Sequence, residues 1–343
     1  MTGPYPGIAA DCWLGDQGAR LYYASPKTFG PKSISMAIGQ GDYDIIYLNS
    51  FFSVKGSILP NAVLRRKEKE SHILIAPRGE FSPGALSQKT AKKKAFLTFA
   101  KLSGLYRNVH WHVSSEAEKA DLLRVFPVER ARVHIAADPV AISVDDHKHP
   151  LKTAGVLSLV FISRVSPMKN LDGLIAILKE VRRKVALAIH GPAENEAYLR
   201  QCKMLSETLP SNISITWKGP ITPDEVRSTF ARHDAFAFPT LGENFGHVIF
   251  EALDSGTPVL ISDTTMWKED GTPALRVLPL HDKAKWVRAI EEAADRDETG
   301  QRNARAAALG YAKDYASKDR GRKDTLAMFR RIAADRVSAT SGS

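Results

Sequence analysis

The stretch AFAFPTLGENFGHVIFEALDSGTPVLIS, residues 235–262, decides how the chain is read. It opens on an apolar run, Ala235 to Phe238, of a length that suits a buried strand. Thr240 to Asn244 leave that strand through a turn, where Gly242 and Gly246 permit close backbone approach. Val248, Ile249, Ala252 and Leu253 then fall at helical spacing, with Glu251 among them. Asp254, Ser255 and Gly256 end the helix, and TPVLIS is the next strand. Strand, helix and strand in that order form a βαβ unit and imply a parallel sheet.

The same alternation runs along most of the chain. Before the opening stretch, strand-like runs stand at 19–25, 43–50, 72–77, 109–115 and 132–137, with helical patterns at 88–105 and 115–126. A second series begins with GVLSLVFIS (155–163) and continues at 184–191, 213–219, 235–239 and 257–262. Helical patterns near 170–181, 194–208, 222–232 and 246–255 fall between these strands. The polar, proline-bearing stretch 138–155 separates the two series and reads as a linker. After residue 280 only helical patterns follow, at about 282–298, 301–316 and 318–335. The expected fold class is α/β. Two Rossmann-like domains, residues 1–150 and 151–335, face a cleft, with C-terminal helices and a disordered tail from 336 to 343. Ligands of open α/β sheets bind beyond the carboxyl ends of the strands, so chemistry is expected there.

A chain of 343 residues suits about two domains. Its net charge of +10 leaves three partner classes open: nucleic acid, an anionic membrane surface, or a phosphate-bearing ligand. No nucleic-acid-binding motif accompanies the charge. QKTAKKK (88–94) opens a helical pattern that carries Phe96, Phe99 and Leu102 on one face. That face reads either as core-facing or as a basic amphipathic surface for an anionic membrane. Cys12 and Cys202 are far apart, and no secretory signal or apolar run near 18 residues is found. A cytoplasmic protein with reduced thiols is expected, in peripheral contact at most with the inner membrane face.

Two groups of residues point to a phosphate-bearing ligand. Arg164 and Lys169 follow a strand and precede a helix, so two cations and a helix N-terminus make an anion site. Glu243 and Glu251 lie eight residues apart, which spans about 12 Å of helix at 1.5 Å per residue. Carboxylates at both ends and a helix N-terminus between them suit a ligand with hydroxyls at its ends and negative charge in its middle. Either group also reads as solvated surface. Asp42-Tyr43-Asp44 has the form of a metal-binding pair but precedes its strand, and His110 and His112 read as strand histidines.

The stretch from Pro239 to Leu260 resembles the E-x7-E element of family 4 retaining glycosyltransferases, the two-Rossmann GT-B group. SRVSPMKN (163–170) resembles that family's strand–Arg-x4-Lys element. HGPAENEAYLRQC (190–202), with Gly191 at the turn, is similar to its next strand and helix. WKGPITPDEVRSTFARHDAFAFP (217–239) matches the segment that leads into the E-x7-E element. In the first half, APRGEFSPGAL (76–86) and HVSSEAEKADLLRVF (112–126) match in family order. The resemblance implies retaining transfer of a hexose from a nucleotide-sugar to a saccharide or lipid-linked acceptor, in envelope polysaccharide or glycolipid synthesis. Arg164 and Lys169 would hold the diphosphate and Glu251 the ribose. Glu243 would meet the hexose, beside the backbone N–H groups of Asn244, Phe245 and Gly246. The family uses no metal and no cofactor beyond the donor.

Arg78 stands where relatives often carry histidine, so its role would be electrostatic or in acceptor binding. No apolar run precedes Ala19, so the family's first strand and Gly-rich turn are expected to be missing and the chain to be an N-terminally shortened form. A catalytically silent sugar-nucleotide-binding protein and a GT-B epimerase remain alternatives.

Overall fold

The computed structural model describes residues 9–16, 18–39, 41–66, 71–87, 90–143, 148–318 and 320–340. The chain divides into two compact units, Met1–Ala136 with Lys323–Ser343, and Ala137–Arg322.

The first unit contains β1 (Trp13–Asp16), β2 (Ala19–Tyr22), α1 (Pro31–Gly39), β3 (Ile45–Asn49) and α2 (Leu59–Arg66). It continues through β4 (His72–Ala76), α3 (Pro83–Ser87), α4 (Thr90–Leu102), β5 (His110–Val113), α5 (Glu116–Val125) and β6 (Val133–Ile135). The strand expected at 19–25 does not join the parallel sheet. It pairs antiparallel with β1, Trp13 opposite Tyr22, across a tight turn eased by Gly18 at φ 87°. The parallel sheet has the order β3-β4-β5-β6, so each strand lies beside its sequence neighbour. Leu74 and Ile75 on β4 point to opposite faces, as successive strand residues must. Ile75 joins an aromatic cluster around buried Phe51, whose ring lies 4.7 Å from Tyr106 and 4.9 Å from Phe81.

The apolar stripe expected on α4 splits. Phe96 and Leu97 pack on the Phe51 cluster, whereas Phe99 and Leu102 stand 56% and 83% exposed. Gln88 and Lys89 of the basic run lie outside the described residues.

The second unit runs β7 (Val156–Ile162), α6 (Leu171–Leu178), β8 (Lys184–His190), α7 (Glu196–Ser206), β9 (Ile213–Gly219), α8 (Pro223–Ala231) and β10 (Ala235–Phe238). Then come α9 (His247–Asp254), β11 (Val259–Ser262), β12 (Leu275–Leu278), α10 (Lys283–Asp295) and α11 (Glu298–Lys318). Its six strands are parallel in the order β12-β11-β10-β7-β8-β9. The order reverses between β7 and β10, which makes that junction the topological switch point. The sequence reading passed over β12: its burial is uneven, with Arg276 exposed on an edge strand, so it lacks the apolar run of its neighbours.

The stretch expected to be a linker is tied to the second unit. Ser143 N–H donates to Asp254 (2.9 Å), Lys152 N–H donates to Glu298 (2.6 Å), and His149 Nδ1 lies 3.0 Å from the Ala231 carbonyl oxygen. Asp145, Asp146 and His147 lie outside the described residues. The last helix, α12 (Gly321–Thr340), remains helical past residue 336, where a disordered tail was expected. It counts with the first unit, because Met328 and Ile332 bury themselves against Leu74 and Ala136, on the sheet face opposite Phe51. Replacing fully buried Ile332 with Ala should therefore destabilise the first unit by about 2–5 kcal/mol. Urea unfolding followed through Trp111 fluorescence measures it, and an unchanged midpoint would contradict this packing.

Candidate functional site

The switch point fixes what can meet. Leu159 and Val160 of β7 pair with Ala235 and Phe236 of β10, so the loops that leave these two strands emerge side by side. The first loop carries Arg164 and a short 3₁₀ turn, Pro167–Lys169. Asn170 follows at φ 55°, a left-handed conformation that asparagine tolerates better than most residues, and caps α6. Its side-chain amide donates to the Pro239 carbonyl oxygen (2.8 Å). The second loop returns the tie: Leu241 N–H (2.8 Å) and the Thr240 hydroxyl (3.1 Å) both donate to the Met168 carbonyl oxygen. The Ser262 hydroxyl holds the Thr240 carbonyl from β11 at 2.6 Å. The two loops are thus stitched together through their backbones.

On this platform Lys169 and Glu243 meet. Lys169 Nζ donates to Glu243 Oε2 at 2.6 Å, with side chains 11% and 18% exposed. The ammonium also lies 5.4 Å from the centroid of the Phe238 ring, a cation–π contact. Arg164 sits farther out and pairs with Glu194 at 2.9 Å. Glu194 was not singled out in the sequence, because only the β7–β8 adjacency brings it to Arg164. Gly191 has φ 133°, and a Cβ there would stand 1.8 Å from the Ser163 carbonyl oxygen. Only glycine lets the turn after β8 lie this close to the turn after β7.

Helix α9 starts at His247, between the two glutamates, as the spacing implied. Its cap residue is Gly246 at φ 82°, without a side-chain cap. Asn244 lies in the loop just before it. Phe245 turns its ring into the core, where Trp267 Nε1 donates to the Phe245 carbonyl oxygen (2.7 Å), so only its backbone is available to a ligand. Glu251 lies one turn into the helix. Burial pushes its carboxyl above the ordinary glutamate value of 4.5; the Arg227 guanidinium works against that shift and Asp254 adds to it.

Arg78 belongs to the first unit, in the turn after β4. It adopts φ 55° and donates from Nε to Asn49 Oδ1 (3.1 Å) and from Nη2 to the Tyr47 hydroxyl (3.0 Å). Tyr47 is hydrogen-bonded in turn to His112 Nδ1. His112 Nε2 lies 2.8 Å from the Ala136 carbonyl oxygen, so it carries the proton and Nδ1 accepts from Tyr47. Tyr47 and Asn49 escaped the sequence reading because they support Arg78 only through sheet pairing. His110 turns the other way, with Nδ1 2.9 Å from His134 Nε2. Asp42 to Asp44 directly precede β3, away from the strand's carboxyl end.

The family model described as Glycosyl transferases group 1 matches residues 145–308. D-inositol 3-phosphate glycosyltransferase of Nocardia farcinica is 26% identical over 215 residues, 57% of this chain and 48% of the relative. The enzyme of the same name from Stackebrandtia nassauensis is 28% identical over 198 residues, 53% of this chain and 44% of the relative. The chain thus spans about half the length of these relatives. Among solved structures, sucrose-phosphate synthase of Thermosynechococcus elongatus aligns with a TM-score of 0.72 at 16% identity, over 96% of this chain and 87% of that one. Anabaena HepE, solved with UDP and glucose, aligns with a TM-score of 0.65 at 16% identity, over 86% and 80%.

One consequence concerns Glu251. Folding favours its protonated form, so its contribution is full below the ordinary value of 4.5 and lost as pH rises through the raised value. Glu251→Gln should therefore raise the melting temperature at neutral pH, with the gain shrinking as pH falls towards 4.5. Melting curves across pH check this; a gain independent of pH would contradict it. Residues 145–308 thus resemble the group 1 glycosyltransferases, and the chain has the GT-B fold.

Proposed function

We propose that this chain moves a hexose from a nucleotide-sugar to an acceptor hydroxyl with retention at the anomeric carbon. The observation that carries the reading is the Lys169–Glu243 pair beside the N-terminus of α9. The second unit holds the donor and the first unit the acceptor. Arg164 and Lys169 take the diphosphate, aided by the positive end of α9. As the bond from the anomeric carbon to the phosphate oxygen breaks, its electron pair leaves with the nucleotide, and the two cations stabilise that charge. Glu251 accepts from the ribose hydroxyls. Glu243 accepts from the hexose, beside backbone N–H groups of Asn244, Phe245 and Gly246, and Gly191 keeps the donor-side turns close. Arg78 supplies fixed positive charge on the acceptor side. No cofactor enters; the nucleotide-sugar is a co-substrate. HepE was solved with UDP and glucose, so UDP-hexoses are the first donors to try. The acceptor is a saccharide or a lipid-linked sugar, in the synthesis of envelope polysaccharide or glycolipid.

In the free protein both cations are held by carboxylates, so the diphosphate must displace them. Arg164→Ala or Lys169→Ala should weaken UDP binding and lower turnover of a UDP-hexose by about 10²–10³. Glu194→Gln should do the reverse and tighten UDP by up to about fivefold, the worth of an exposed ion pair. Calorimetry and donor-hydrolysis rates measure both, and unchanged values in all three variants would refute the clamp.

The glutamates separate by ligand. Glu251→Ala should weaken UDP itself. Glu243→Ala frees Lys169, so UDP affinity should hold or rise while the intact UDP-hexose binds less tightly. The opposite ranking in calorimetry would reverse the assignment.

A further inference from the structure

Two adjoining cavities lie at the end of the first unit's sheet opposite Arg78. A groove of about 410 Å³ runs between α2 and α4, lined by Ile58, Ala62, Phe99, Leu102 and Leu105. Phe99 and Leu102 are the exposed part of the α4 stripe, and Leu102 is 83% exposed. The two side chains give the groove an apolar wall on its water-facing side.

That groove opens into a basic pocket of about 450 Å³ at the amino ends of the strands. The two cavities share Arg65 and Arg107. Ser71 and His72 at the start of β4, Asn108 before β5 and Arg132 before β6 complete its wall. The Arg65 and Arg132 guanidiniums are held by hydrogen bonds. Arg65 donates from Nη1 to the Gly104 carbonyl oxygen. Arg107 lies 3.9 Å from where a Cβ on Gly104 would stand. Arg132 donates to the Asn108 carbonyl oxygen (3.3 Å), with His110 Nε2 at 3.3 Å, and Glu129 pairs with its Nε at 3.0 Å. Arg132 is thus partly neutralised, and among the described residues that line the two cavities no carboxylate stands with Arg65 and Arg107 at the mouth of the groove. Planar guanidiniums match phosphate oxygens, and apolar walls match a hydrocarbon chain. Neither cavity alone selects a ligand that has both.

We propose that this double cavity binds an anionic membrane lipid, with an acyl chain over Phe99 and Leu102 and its phosphate on Arg65 and Arg107. The site involves none of the residues assigned to sugar transfer, so it stands or falls separately from that reading. It turns the general attraction of a basic helix for a membrane into one site for one lipid.

The probe is octyl phosphate below its micelle concentration, with inorganic phosphate and octyl glucoside as half-ligands, titrated calorimetrically onto the full chain. Octyl phosphate should bind at one site, more tightly than either half-ligand. Arg65→Gln with Arg107→Gln should lower its affinity about tenfold or more, as for loss of charge-assisted hydrogen bonds. Leu102→Ser, at a position too exposed to disturb folding, should also weaken it. Lys92→Gln with Lys94→Gln, an equal loss of charge on α4, should leave it unchanged. Cosedimentation then identifies the source: vesicles of phosphatidylcholine with phosphatidylglycerol should retain the protein, and phosphatidylcholine alone should not. Equal loss from the arginine and lysine pairs would overturn the proposal in favour of diffuse charge. Inorganic phosphate binding as tightly as octyl phosphate would reduce the site to a free-anion pocket. Retention on neutral vesicles would leave no role for the arginines.

Discussion

The register between β7 and β10 is the constraint on which the second unit's chemistry depends. Parallel strands that run in opposite sequence directions from a switch point leave a gap where no helix covers their carboxyl ends. Here the gap falls between residue 162 and residue 239, which are far apart in sequence and adjacent in space. In the proposed mechanism Arg164, Lys169, Glu243 and Glu251 all follow the two strands at that junction, and Gly191 follows the neighbouring β8. The Met168 carbonyl accepting from Thr240 and Leu241, and Asn170 donating to Pro239, then hold the loops so that Lys169 and Glu243 can pair. A slip of one residue in either strand would turn the alternating side chains to the other face and separate that pair.

Holding charge at this junction works against stability. A largely buried ion pair loses hydration that its mutual attraction only partly restores. Asn170 and Gly246 both sit at positive φ, and Gly191 leaves room for nothing beyond hydrogen. Glu251 bears a carboxyl that its surroundings would rather see protonated. The core of the unit runs through Phe161, Phe236 and Phe238, and a second buried charge cluster, Asp234 with Arg305 (3.5 Å) and Lys152 (3.9 Å), lies at the amino end of β10. What sets the switch point apart is that its ion pair and its positive-φ residues lie on loops at the carboxyl ends of the strands, where strain accompanies binding.

Much of this was legible in the sequence, for identifiable reasons. Buried parallel strands are near-continuous apolar runs, so β7, β8, β10 and β11 announced themselves, and the turns after them carried glycine and charge together. The spacing of Glu243 and Glu251 placed a helix start between them, where α9 begins. What escaped had no local trace. β12 is an edge strand with an exposed arginine. The run at 19–25 has strand composition, but composition does not say with what it pairs; a turn at Gly18 gave it a hairpin partner. The helical pattern at 318–335 was read with the second domain because periodicity does not say on what a helix packs, and Ile332 against Leu74 assigns α12 to the first unit. Glu194 and Tyr47 matter through partners 30 residues or more away, Arg164 and Arg78.

In the proposed mechanism the carboxylates that hold Arg164 and Lys169 bear on how a donor would enter. Bringing a diphosphate to two free cations would be strongly favourable and slow to reverse. Here each cation already has a carboxylate, so donor binding exchanges partners instead of neutralising bare charge, and only the difference between the two states counts. The exchange is unequal at its two ends. The Arg164–Glu194 pair is well exposed, 61% and 48%, and costs little to open. The Lys169–Glu243 pair is sheltered, and the carboxylate it releases needs a new partner. A hexose hydroxyl can supply one, whereas a bare nucleoside diphosphate cannot. On that mechanism the sheltered pair would favour a ligand that carries both phosphate and sugar over the nucleotide alone, the ordering a transferase needs to admit its donor and let the spent nucleotide go.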